Sequence, residues 1–148
     1  MYTLLSGLWQ YMFEKDNYTI LILGLDNAGK TTFLEHSQAQ VKHGPTASIN
    51  PARITSTVGL NVGSAGLLGV ELKFCDLGGQ EDLQLLWDKY YSESHGIIYV
   101  VDSADKQRIS ESKVAFDNMI GNELVSGLPL LIVANKQDVE VSFFFFIK

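Results

Sequence analysis

The chain has 148 residues, 46% of them apolar and 19% charged, with 11 basic side chains against 17 acidic ones and three histidines. That is the composition of one globular domain with a sizeable core, and it excludes a disordered tail, a collagen and a coiled-coil rod. A formal net charge of -6 argues against nucleic acid as a partner, because phosphates call for a basic surface.

A lone cysteine, Cys75, cannot close an internal disulfide, so a reducing compartment is expected. No apolar run approaches the roughly 18 residues that span a bilayer, and the first residues lack the pattern of a secretory signal. A cytoplasmic chain, free or held on a membrane surface, is the expectation.

In chain order, residues 1–13 are expected to form an amphipathic helix, with Leu4, Leu5, Leu8, Trp9 and Met12 at helical spacing. Residues 18–24 read as a strand breaking into a glycine turn, and residues 29–40 as a helix. Residues 43–56, with Pro45 and Pro51, read as a loop. Two strands are expected over 57–63 and 70–76, joined by a turn at Ser64-Ala65-Gly66. One polar helix is expected over 81–91. Residues 96–102 (GIIYVVD) and 128–135 (LPLLIVAN) are continuous apolar runs, the pattern of parallel strands buried on both faces. A helix over about 106–124 lies between them. Strands alternating with helices predict an α/β fold: a mostly parallel sheet with helices on both faces and its ligand at the strand carboxyl ends.

Three motifs fall at those ends. Gly24-Leu25-Asp26-Asn27-Ala28-Gly29-Lys30-Thr31 fits GxxxxGK[ST] between a strand and a helix. Glycines let the backbone curl, so that amides along Asp26, Asn27, Ala28, Gly29, Lys30, Thr31 and Thr32 face a phosphate. Lys30 would reach the β and γ phosphates, and the Thr31 hydroxyl would ligate Mg²⁺.

Asp76-Leu77-Gly78-Gly79-Gln80 follows. Asp76 suits Mg²⁺ held through water, Gly79 can offer its N–H to the γ phosphate, and Gln80 would orient the attacking water. Asn135-Lys136-Gln137-Asp138 ends the last strand. The Asp138 carboxylate can accept the ring N–H and exocyclic amine of guanine, whereas adenine offers a lone pair there. The Lys136 stem can lie over the purine, and Asn135 can bond the Hoogsteen edge or brace the phosphate loop. The motifs specify GTP or GDP with Mg²⁺ and disfavour an ATP-using kinase.

These segments (GLDNAGKTT, TVGLNVG, DLGGQE, LWDKYY and NKQD) resemble the Arf family of small GTPases over about residues 1–140. The resemblance implies a six-stranded mixed sheet, and a switch threonine, Thr57, that joins Mg²⁺ when a γ phosphate is present. It implies that residues 57–76 form an interswitch hairpin that slides on exchange and displaces the N-terminal helix. It also implies a monomer working with an exchange factor, a GTPase-activating protein and effectors, peripheral on Golgi and trans-Golgi membranes.

Three departures stand out. Position 2 is Tyr2 rather than the glycine that myristoylation requires, so membrane association would rest on the N-terminal helix or a receptor. Cys75 and Leu60 replace large rings of the family, and Cys75 is expected to act as a small buried hydrophobe. Residues 141–148 (VSFFFFIK) follow the third motif where the family continues into another strand and helix. The expectation is a C-terminally truncated domain, 17–140, carrying a foreign tail. Uncovered core side chains at about 1.5–3 kcal/mol each would then rival a domain stability of roughly 5–15 kcal/mol. A catalytically incompetent binding or decoy product is the alternative function. Trp87, Tyr90 and Tyr91 read equally as packing or partner-binding residues, and residues 102–113 as a solvated face.

Overall fold

A computed structural model describes residues 16–44, 57–67 and 69–139. The expected N-terminal helix, most of the 43–56 loop and the phenylalanine-rich tail lie outside the described residues.

Among the described residues, five strands form one mixed sheet in the order β2-β3-β1-β4-β5. They are β1 (Asn17–Leu23), β2 (Leu60–Leu67), β3 (Val70–Leu77), β4 (Gly96–Asp102) and β5 (Leu130–Asn135). β1 pairs parallel with β3 and β4, β4 pairs parallel with β5, and only β2 runs antiparallel, against β3. The helices are α1 (Lys30–His43), α2 (Glu81–Gln84), α3 (Asp88–Tyr91) and α4 (Ile109–Ile120), with 3-10 turns at Lys106–Arg108 and Glu123–Val125.

Period-two alternation sends neighbouring side chains of the central strands to opposite faces. Leu21 and Leu23 of β1, Cys75 and Leu77 of β3 and Ile97 and Tyr99 of β4 meet Trp87, Tyr91, Ala115 and Met119 on one face. Ile22, Phe74 and Val100 meet Leu34 of α1 on the other. The chain leaves β1 toward β3 on one side and later returns as β4 on the other. The carboxyl end of β1 is therefore a topological switch point, where a crevice opens between diverging connections.

Four expectations are corrected. Ser64-Ala65-Gly66 is not the hairpin turn but part of β2, with Leu72 opposite Ala65. At the neighbouring Gly63 a small residue is needed because α1 crosses close by, whereas Gly66 faces open space. A Cβ on Gly63 would stand 2.4 Å from Gln38 Nε2, whose amide donates to the Ser64 carbonyl at 3.0 Å. The reversal comes between Leu67 and Val70, where Gly69 takes φ 83°.

The helix expected over 81–91 is broken into α2 and α3. The connecting turns close through i to i−3 bonds, and the Trp87 indole turns into the core to donate to the Gly78 carbonyl at 3.1 Å. The last strand starts at Leu130 rather than Leu128, because Pro129 has no N–H to pair and only its carbonyl accepts, from Ile97 N at 2.9 Å.

β5 is also not buried on both faces: Leu130, Leu131 and Ile132 are 40%, 54% and 38% exposed. β5 is the edge of the sheet among the described residues, so its three consecutive apolar side chains, pointing alternately to both faces, are left partly uncovered. No helix among the described residues is long and apolar enough to cross a membrane.

Candidate nucleotide site

The first motif sits at the switch point as its sequence context requires, after β1 and opening α1. Gly29 occupies the N-cap of α1 at φ 91°, and Asn27 adopts φ 61°, so the loop curls as an L-residue run could not without strain. The first turn of α1 carries no acidic side chain, which leaves its positive end open to an anion. Lys30 is buried beneath the loop, its ammonium donating to the carbonyls of Gly24 at 3.0 Å and Leu25 at 2.8 Å. Burial pulls its pKa down, against the opposing pull of Asp76 and Asp26. A buried ammonium satisfied by only two carbonyls keeps donor capacity for phosphate oxygens.

Three oxygens from three separate segments converge beside it. Thr31 Oγ1 lies 2.8 Å from Thr57 Oγ1 and donates to Asp76 Oδ2 at 2.5 Å, and Thr57 Oγ1 donates to the same carboxylate oxygen at 3.3 Å. Asp76 is fully buried at the end of β3, and burial raises its pKa above the usual carboxylate range despite the Thr31 bond and the charge of Lys30. Its Oδ1 has no partner within hydrogen-bonding distance; Asn61, opposite on β2, stabilises the charge only weakly. An orphaned buried carboxylate oxygen beside two hydroxyls is a hard, all-oxygen donor set, which fits Mg²⁺.

Gly79 is packed against the phosphate loop itself. A Cβ there would stand 2.3 Å from Asp26 N and Leu25 C and 2.4 Å from Gly24 O, so only glycine lets this backbone come so near. Gln84 Nε2 donates to the Gly79 carbonyl at 2.9 Å, and Gly78 N donates to the Gly59 carbonyl at 2.9 Å, tying the loop to both its neighbours. Gln80 is exposed at the N-cap of α2, on the same loop.

The third motif closes the site from β5. Asn135 Nδ2 donates to the Ala28 carbonyl at 2.9 Å, so of the two roles open to Asn135 the brace on the phosphate loop is the one present. Lys136, at φ 62°, extends its ammonium to Asp102 Oδ2 at 2.7 Å. Ser103 donates to the Asn135 carbonyl at 2.5 Å and accepts from Gln137 Nε2 at 2.8 Å. Asp138 is exposed at the tip of this turn. Thr32 lies half-buried in the first turn of α1.

Residues 102–113 are therefore more than a solvated face. Asp102 and Ser103 fix the third motif, and Arg108 reaches Asp26 of the phosphate loop. The signal available was the position of Asp102-Ser103 at the end of a buried strand; nothing in the spacing singles out Arg108. Trp87 and Tyr91 are buried core residues, and Cys75 is buried, with its thiol pushed up by that burial, as expected of a small hydrophobe. His95 accepts from Thr19 N at 3.1 Å, and no group of three or more His, Cys, Asp or Glu side chains is placed to hold a metal ion among the described residues.

The sequence model of the ADP-ribosylation factor family matches residues 2–143. ADP-ribosylation factor-related protein 1 of Bos taurus is 59% identical over 140 residues, covering 95% of this chain and 69% of that protein. ADP-ribosylation factor-like protein 3 of Saccharomyces cerevisiae is 44% identical over 139 residues, covering 93% and 69%. Among solved structures, the Arl6 BBS3 small GTPase from Trypanosoma brucei with the bound nucleotide analogue GppNp superposes with a TM-score of 0.68. It is 30% identical, covering 86% of this chain and 72% of that one. The chain belongs to the ADP-ribosylation factor family of small GTPases, in which binding of GTP or GDP with Mg²⁺ and hydrolysis of GTP are defining properties.

Proposed function

We propose that this chain works as a guanine-nucleotide switch through the residues of its three motifs. The observation that carries the reading is the convergence of Thr31, Thr57 and Asp76, brought from α1, the segment before β2, and β3, onto one point beside Lys30. Mg²⁺, when bound there, would neutralise phosphate charge. Thr31 and Thr57 would supply it with hydroxyl oxygens, and Asp76 would hold it through water.

The amides of Asp26, Asn27, Ala28, Gly29, Lys30, Thr31 and Thr32 surround the phosphates. Lys30 is the cation that meets charge developing on them. Gly79 offers its N–H at the γ position, and Gln80 positions the attacking water, so that Gln80 and Lys30 are the catalytic pair. Asp138 selects guanine, Lys136 lines the base, and Asn135 holds the phosphate loop in register. The exposure of Gln80 supports slow intrinsic hydrolysis: water surrounds it, and an activating protein would have to dry and orient the site.

The organisation we infer is an N-terminal amphipathic helix over 1–16, the nucleotide-binding domain over 17–140 and an atypical tail over 141–148. The chain would act as a monomer in the cytoplasm and peripherally on Golgi or trans-Golgi membranes, held by that helix or by a receptor. An exchange factor, an activating protein and effectors would set its state, in vesicle and protein transport.

Titration of the purified chain with fluorescent GDP and Mg²⁺, competed with GTP and with ATP, tests the reading. Saturable 1:1 binding displaced by GTP and not by ATP is expected. Displacement by ATP, or absence of saturable binding, would overturn it.

A further inference from the structure

The phosphate loop contains an anomaly. Asp26 places a carboxylate among amides meant for an anion, at a site where like charges repel. The side chain is not simply turned out to water. It is 30% exposed, and its Oδ1 meets Arg108 Nη2 at 2.7 Å. Arg108 Nη1 also donates to the Asp26 main-chain carbonyl at 3.3 Å, so one guanidinium holds both the charge and the backbone of the loop.

Arg108 is itself oriented. Its Nε and Nη2 donate to the two carboxylate oxygens of Glu111, in the first turn of α4, at 2.8 and 2.9 Å. Its backbone N donates to Asp105 at 3.3 Å. The cavity of about 320 Å³ beside the loop is lined by one other cation, Lys136, and that ammonium is engaged with Asp102.

We propose that Arg108 is the positioning residue of the phosphate loop: held in a fork by Glu111, it neutralises Asp26 and ties that loop to α4. The consequence for binding rests on the nucleotide reading above; the tie between loop and helix does not. A lysine could neutralise Asp26, but it lacks the planar fork that engages Glu111 and the loop together.

The test compares wild type, Arg108→Ala, Asp26→Asn, Arg108→Ala with Asp26→Asn, and Arg108→Lys. Two readouts are used: affinity for fluorescent GDP, and hydrogen exchange of the backbone amides of residues 25–29 in nucleotide-free protein. Because the pair is partly exposed, Arg108→Ala is expected to weaken GDP binding by about 10-fold. Removing the carboxylate as well should bring affinity back to within about 3-fold of Asp26→Asn alone. Exchange should accelerate in Arg108→Ala.

A double variant as weak as Arg108→Ala would overturn the charge argument, and unchanged exchange would overturn the tie. If Arg108→Ala does not fold, Arg108→Lys carries the test. It should keep GDP affinity within about 3-fold and still exchange faster; wild-type exchange in that variant would overturn the proposal. Failure of wild type to bind GDP would sink the nucleotide reading alone, since the exchange comparison still decides whether Arg108 ties the loop.

Discussion

Replacing Gly79 by alanine adds one methyl group where its backbone lies against the phosphate loop. The new Cβ would begin 2.3 Å from Asp26 N and Leu25 C, where ordinary contacts start at 3.4 Å, so the two loops must separate by about 1.1 Å. None of the three atoms it meets can rotate away, because all belong to the main chain of the phosphate loop. Separation strains the bonds that hold the Gly78–Gly79 backbone, from Gln84 Nε2, from Trp87 Nε1 and to the Gly59 carbonyl. Overpacking of this kind costs about 1–3 kcal/mol, which in a domain of this size lowers the melting temperature by roughly 3–10 °C.

The functional effect should be asymmetric. On the proposed reading, an analogue with a γ phosphate would need the Gly79 N–H close to the loop, whereas GDP would not. Gly79→Ala is therefore expected to lose at least about 10-fold more affinity for a non-hydrolysable GTP analogue than for GDP, since one charge-assisted hydrogen bond accounts for that much. Fluorescent-nucleotide titrations and a thermal melt, run on the same preparations, read both effects. A variant that melts like wild type and keeps the wild-type ratio of the two affinities would refute the claim that this contact is tight.

Other substitutions probe the surroundings. Asn135→Ala removes the 2.9 Å brace on the Ala28 carbonyl and should cost about 1 kcal/mol, seen as several-fold faster GDP release in stopped flow; unchanged release would remove Asn135 from that role. Cys75 should resist alkylation in the native protein from neutral pH to about pH 9, and react once denatured. Because its thiol pKa is raised in the fold, the stability it contributes is complete below the unfolded value and lost as pH rises through the folded one. Native reaction at the rate of a free thiol would contradict its burial. Leu131→Lys, at a side chain 54% exposed, should change stability by less than about 0.5 kcal/mol in a thermal melt; a loss of several kcal/mol would show that this face of β5 is packed.

Much of this protein was legible in its residues in order. The three motifs, their strand-end positions and the parallel sheet follow from local patterns, because a glycine turn between a strand and a helix and an apolar run of strand length are written in neighbouring residues. The small residues at 63–66 misled for the same reason: composition marks a run of small side chains, and only packing against α1 says that the need at Gly63 is clearance rather than a turn.

What tertiary structure alone decided is which distant groups meet. Thr57 reaches Thr31 across 26 positions, Asn135 reaches Ala28 across 107, and Arg108 reaches Asp26 across 82. No periodicity encodes such pairs, since each depends on how separate segments are set beside one another by the order of the strands. The sequence by itself determined the chemistry available at the carboxyl ends of β1, β3 and β5. The fold decided that Asp26 would be neutralised, Asp76 left with a free oxygen, and β5 left at an exposed edge among the described residues.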